Sequence, residues 1–230
     1  MTSRLERLNA RYHAHHTRRQ EFVFGGDERA SLIRSLVGGP GLRVLDLGCR
    51  TGALTQHYAE GNDVTGVDVD SAALAVAAER LGIPTVWADV EDELPFPEGS
   101  FDVVVAGELL EHLVDPGGVV GQVRRVLAPG GRFVGSVPNA FRLKNRIRFL
   151  VGKRPEKDPT HLQLFAPSAL ERLLGSFEDV AIRFAVGRYV RWHPRLMANV
   201  QVFSAVRPGT DRAARDDARA SAATRRAPRA

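Results

Sequence analysis

Val44-Leu45-Asp46-Leu47-Gly48-Cys49-Arg50-Thr51-Gly52 is the stretch whose reading decides the fold. Leu42, Val44, Leu45 and Leu47 make the continuous apolar run required of a strand buried on both faces. Gly48 and Gly52 then permit a tight turn and let a ligand approach the peptide groups. The helix expected next, over about 53–60, would aim its free N–H groups at whatever sits above the turn. Strand, glycine turn and helix start together form a nucleotide cradle.

Working outward, the same alternation continues. Upstream, Gly38-Gly39-Pro40-Gly41 ends a helix expected over 28–36, which Asp27 is placed to cap. Downstream, strands expected at 64–69, 85–88, 101–106 and 132–137 alternate with helices at 72–81, 109–113 and 119–127. Asp115-Pro116-Gly117-Gly118 is read as the stop of the 109–113 helix, and Pro129-Gly130-Gly131 as the turn into the fifth strand. A helix over 167–174 precedes strands at 180–186 and 200–206, read as an antiparallel hairpin closing one sheet edge. The class expected is α/β, a Rossmann-like doubly wound sheet with helices on both faces.

Residues 1–30 read as an N-terminal helical segment, 31–206 as the domain, and 207–230 as an Ala/Arg-rich disordered tail. The His13, His15 and His16 patch of the first segment reads as a solvated helix face. Within the domain, 138–160 is a basic insertion in which Phe141, Leu143, Ile147, Phe149 and Leu150 alternate with cations, the pattern of a basic amphipathic helix.

At 230 residues the chain can bury one sizeable core. A single cysteine, Cys49, excludes a disulfide framework and a Cys-rich metal site and fits a reducing, cytoplasmic setting. No apolar run reaches membrane-spanning length, and the N-terminus lacks the apolar core of a signal peptide. The net charge of +5 is concentrated at the C-terminus, where 207–230 holds seven Arg against three Asp. The remainder is almost neutral, so global charge does not favour nucleic acid as a partner.

The cofactor side rests on three acids. Asp68 follows Asp46 by 22 residues, near the spacing of roughly 20 at which a carboxylate takes ribose hydroxyls. Asp89 ends the third strand, where it is placed to accept from an adenine amine. Asp46, Asp68 and Asp89 thus fall at the carboxyl ends of three successive strands, where ligands bind in such sheets.

The residues 44–52, Gly66-Val67-Asp68, Ala88-Asp89-Val90, the run from Leu94 to Asp102, and Leu127-Ala128-Pro129-Gly130-Gly131 resemble class I S-adenosylmethionine (SAM)-dependent methyltransferases, and the Glu108-x-x-Glu111-His112 segment resembles that of the ubiquinone-type O-methyltransferases among them. The resemblance implies a seven-stranded sheet with an antiparallel last strand. It implies that Asp46, Gly48 and Gly52 hold the methionine end of SAM, Asp68 the ribose, and Asp89 with Val90 the adenine. The family usually has glycine at the position of Arg50, whose guanidinium is an alternative partner for the methionine carboxylate. A non-catalytic SAM-binding protein is the reading that this departure leaves open.

On the acceptor side, Glu108, Glu111 and His112 would share one face of the helix expected at 109–113, a set able to hold a divalent ion such as Mg²⁺. His112 and His161 are the candidate bases for removing a hydroxyl proton, since an imidazole titrates near neutrality. The expectation is methyl transfer to a small or lipid-like acceptor, at oxygen. RNA 2′-O-methylation is the alternative, and the cations of 138–160 also suit an anionic membrane surface.

Overall fold

A computed structural model describes residues 3–16, 25–155, 158 and 160–209. Seven strands form one sheet: β1 (Arg43–Leu47), β2 (Asp63–Asp68), β3 (Thr85–Trp87), β4 (Phe101–Gly107), β5 (Leu127–Pro138), β6 (Glu178–Ala185) and β7 (Val200–Val206). Their order is β3-β2-β1-β4-β5-β7-β6. The first five strands in that order pair in parallel, and β7 runs antiparallel between β5 and β6. The last two strands therefore pair as expected, but β6 forms the edge and β7 is internal.

Alternation along the central strands supplies two cores. Val44, Val103, Val105, Val134 and Val202 face one side, against Ile33 and Val37 of α2 (Gly26–Val37) and Tyr58 of α3 (Gln56–Ala59). Leu45, Leu47, Val104, Phe133 and Phe203 face the other, with Val119, Val120 and Val123 of α5 (Pro116–Val126) and Leu170 of α7 (Pro167–Leu173). Both faces are covered, which is why these strands read as unbroken apolar runs. The remaining helices are α1 (Arg4–His16), α4 (Ser71–Leu81), α6 (Leu143–Leu150) and α8 (Pro194–Met197). None of the described helices is long and apolar enough to cross a membrane.

Several boundaries differ from the sequence reading for local reasons. Asp27 lies inside the first turn of α2 and makes no side-chain cap, because left-handed Gly25 is the N-cap. The helix after Gly52 shrinks to Gln56–Ala59, preceded by turns. Asp115-Pro116 starts a helix instead of stopping one: Asp115 accepts from the Gly118 N–H at 3.0 Å and Pro116 occupies the first turn of α5. The helix expected at 109–113 is a single 3-10 turn, Leu110–His112, entered from Glu108 at φ +59° and left through extended Leu113. The expected tail falls outside the described residues from 210 onward.

Close approach fixes the register at the sheet centre. A Cβ on Gly135 of β5 would lie 2.6 Å from the Ala106 carbonyl oxygen and would overlap the Phe203 ring. Gly135→Ala is expected to lower the unfolding free energy by about 2 kcal/mol, read as a shifted urea midpoint. An unchanged midpoint would contradict this packing of β7 on β5.

Candidate active site

A cavity of about 660 Å³ opens at the carboxyl ends of β1 to β4, beside the point where the strand order reverses. Its floor is the turn after β1. Gly48 and Arg50 both take left-handed backbone, at φ +72° and +50°. That conformation explains why a glycine suits the position of Arg50. The turn nevertheless forms with arginine there, because the Arg50 N–H is held by Asp68 Oδ2 at 2.9 Å. Gly52 does not reach the cavity as expected. Its backbone is left-handed at φ +73°, and a Cβ there would lie 2.6 Å from Leu81 Cδ1 of α4.

Asp68 connects the walls. Its Oδ2 takes the Arg50 N–H, and its Oδ1 accepts the Asp70 N–H at 2.8 Å. Burial raises its pKa, and the two backbone N–H groups oppose the rise. Asp70 in turn caps α4, accepting from Ala72 and Ala73 N–H at 3.1 Å. The Asp89 carboxylate also sits in the cavity wall next to buried Val90, and its Oδ1 accepts the Glu91 N–H at 3.0 Å.

Asp46 is committed differently. Its Oδ2 accepts from Thr55 Oγ1 at 2.6 Å and Tyr58 Oη at 2.7 Å, which pins α3 to β1. Burial pushes its pKa up to about 6, against the hydrogen bonds from Thr55 and Tyr58 that pull it down.

Sequence reasoning missed the roof. Helix α1 lies across the cavity: Arg4 Nη2 contacts Asp89 Oδ2 at 3.0 Å and Glu91 Oε2 at 3.2 Å. The Asp89 contact is ionic, without hydrogen-bond geometry, whereas Glu91 accepts a hydrogen bond. Asn9 and His13 reach Ser71 and Asp70, and the Tyr12 ring meets His112 edge-on at 6.2 Å. His13 is therefore a contact to the domain, where a solvated face was expected. A Leu8–Tyr12 apolar spacing ahead of Asp-rich strand ends was the available signal, but nothing local says which surface it covers.

The acceptor end also rearranges the expected set. Glu108 turns toward Arg29, whose Nη1 lies 3.2 Å from Glu108 Oε1, and Ser136 Oγ donates to the same oxygen at 3.0 Å. Burial raises the Glu108 pKa, and Arg29 opposes that. Glu108 thus leaves the predicted triad because the 3-10 turn begins after its left-handed backbone. Glu111, His112 and His161 come together instead, with one donor atom from each within 4.8 Å of the others. The 160–163 strap secures them. The Thr160 carbonyl lies 3.2 Å from His112 Nδ1, and the Leu162 and Gln163 N–H groups donate to the Glu111 carbonyl at 2.8 and 3.0 Å. The two imidazole rings meet edge-on at 4.8 Å. Two imidazoles with one carboxylate do not fit Mg²⁺, which is held by oxygen ligands.

The strand-end side of the cavity does fit an adenosine-bearing cofactor. Asp68, Asp89 and the Gly48–Arg50 turn line it, and its volume of about 660 Å³ holds a cofactor of that size. Residues 45–135 match the family described as methyltransferase domain. The chain is 38% identical over 112 residues to the ubiquinone biosynthesis O-methyltransferase of Pseudomonas aeruginosa (strain UCBPP-PA14), a stretch covering 46% of this chain and 45% of that protein. It is 40% identical over 104 residues to the 27-O-demethylrifamycin SV methyltransferase of Amycolatopsis mediterranei (strain S699), covering 40% of this chain and 37% of that one. It thus spans less than half the length of these two curated relatives. A SAM-dependent methyltransferase structure from Archaeoglobus fulgidus superposes with a TM-score of 0.60 at 20% identity, over 80% of this chain and 97% of that one, which speaks to the fold.

The Asp46 carboxyl gives a pH test. A folded pKa of about 6, above the ordinary 3.8, means that the folded protein binds the proton more tightly. This group's contribution therefore falls as pH rises from about 4 to about 6, by about 3 kcal/mol in the limit. Urea unfolding should show the wild type losing stability relative to Asp46→Asn across that window. Parallel curves would contradict the assignment.

Proposed function

We propose that this chain, built around a SAM-dependent methyltransferase domain, transfers the SAM methyl group to a hydroxyl of a small or lipid-like acceptor. Bound SAM supplies an electrophilic methyl on its sulfonium sulfur. Asp68, at the end of β2, accepts from the ribose hydroxyls through the lone pairs that its two backbone bonds leave over. Asp89 and Val90 take the adenine, and the Gly48–Arg50 turn takes the methionine end. Asp46 acts indirectly, holding β1 and α3 together beneath that turn.

The acceptor reading is carried by one observation, the contact of His112 Nδ1 with the Thr160 carbonyl oxygen at 3.2 Å. A carbonyl oxygen only accepts, so the His112 Nδ1 that faces Thr160 O carries the hydrogen, and in the neutral ring Nε2 is then the basic nitrogen. An imidazole in the cavity wall whose Nε2 is unprotonated is a base for a hydroxyl proton. His161, edge-on beside it, is the second imidazole of the acceptor end and keeps the His112 ring in place. Buried Arg29 pairs with partly buried Glu108 in the same cavity wall. Both named relatives are O-methyltransferases, which supports oxygen as the accepting atom. No step is assigned to Mg²⁺.

Calorimetric titration tests the cofactor half. Asp89→Ala and Asp68→Asn should each weaken SAM binding about tenfold or more, a loss of roughly 1.4 kcal/mol. Asn is chosen at 68 because it keeps one acceptor for the turn. Unchanged affinity in either variant would refute that residue's role. For the acceptor half, transfer of labelled methyl to a panel of phenols and alcohols should fall about 10²- to 10⁴-fold in His112→Gln. SAM affinity should be retained and the neutral-pH limb of the rate profile lost. Full activity in that variant would remove His112 as the base.

A further inference from the structure

Helix α6 turns its polar face inward. Lys144, buried Asn145 and Arg148 line the cavity, as does Arg142 just before the helix, while Phe149 and Leu150 are 70% and 82% exposed. A helix packed for stability alone does the reverse and buries its apolar stripe. Lys144 and Arg148 are also four residues apart, a spacing at which like charges repel. Half-buried Arg142 and Arg148 lose part of their hydration there as well. An anion in the cavity would offset both costs.

Their place in the fold sets these cations at the acceptor end. Asp68 and Asp89 follow β2 and β3, on one side of β1 in the strand order, whereas α6 follows β5 on the other side. From α6 the chain runs through Pro155 and Asp158 of the cavity wall to the 160–163 strap beside His112. The acids of that end are already engaged. Glu108 pairs with Arg29 at 3.2 Å, Glu111 stands with the two imidazoles, and Asp158 Oδ1 accepts from the Thr160 N–H at 2.9 Å and its hydroxyl at 2.6 Å. Among the described residues, Arg142, Lys144 and Arg148 form no ion pair with a carboxylate; Arg142 donates to the Asn199 side chain and Arg148 Nε to the Arg154 carbonyl at 3.1 Å. The stretch 138–155 holds six Lys and Arg and no Asp or Glu that could neutralise them locally.

We propose that the acceptor carries an oxyanion, a carboxylate or a phosphate, which Lys144 and Arg148 bind while its hydroxyl meets His112. This rests on the methyl-transfer reading and gives the acceptor a second point of attachment. The Arg148 bond to Arg154 uses Nε alone, which leaves the terminal N–H groups as a fork for two oxygens. Lys144 adds a mobile point charge. Two fixed ends orient the hydroxyl toward the base, and a neutral phenol offers these cations nothing.

Calorimetric titration of the full chain with 4-hydroxybenzoate, its methyl ester and 4-hydroxyphenyl phosphate tests this. At least one anion should bind about tenfold or more tightly than the neutral ester, and the tighter anion identifies the oxyanion. Lys144→Gln/Arg148→Gln should abolish that preference, and Lys144→Arg/Arg148→Lys should retain it. Arg146→Gln removes the same charge from a residue that lines the outer groove beside His193, and should leave the preference intact. No preference for an anion in the wild type, an undiminished preference in Lys144→Gln/Arg148→Gln, or an equal loss in Arg146→Gln would each overturn the proposal. The wild-type comparison holds whatever the variants do to folding. SAM titration is read separately: intact SAM affinity without an anion preference sinks this inference alone, whereas absent SAM affinity sinks the methyl-transfer reading.

Discussion

The Asp68 carboxylate is the interaction on which the site depends. One oxygen holds the Arg50 N–H in the turn after β1, and the other holds the Asp70 N–H in the turn after β2. Each bond to a charged acceptor contributes about 1.5–3 kcal/mol. Together they fix the two strand ends relative to one another. Burial works against the charge, and the two N–H groups are what make it tolerable there. Through Asp70 the same network caps α4 and meets His13 of α1, so floor, wall and roof share one chain of contacts.

The fold was legible because its strands are buried on both faces and bounded by glycine turns. That pattern survives without knowledge of the partner strands. The placement of Asp68 and Asp89 at the cavity was legible for a related reason: position at a strand's carboxyl end is itself a sequence property. What was not legible depends on long-range pairing. Arg4 and Glu91 are separated by 87 residues, and Arg29 meets Ser136 across 107. Glu108 shows the sharper failure. Helical spacing put it on one face with Glu111 and His112, but its left-handed backbone ends that register before it begins. Gly52 shows the converse, since a glycine packed against Leu81 looks in sequence like one that faces a ligand.

The two ends of the cavity follow different physical logic. At the strand ends, buried carboxylates are held by backbone N–H groups and present acceptors in fixed directions, which suits hydroxyls and an amine. At the acceptor end, the His112 imidazole is held through Nδ1 by the Thr160 carbonyl, which directs its other nitrogen to proton removal. Helix α1 closes over both, tying Arg4 to Asp89 and Tyr12 to His112. A fold of this kind supports many reactions, so the assignment rests on these groups and not on the sheet.

The central claim is that three separate strand ends act as one cofactor site. Hydrogen exchange of the wild-type chain with and without SAM tests it most directly, because each segment reports independently. The account predicts that SAM slows exchange together at 48–52, 68–70 and 89–91. Protection of only one of these segments, or of none, would contradict it.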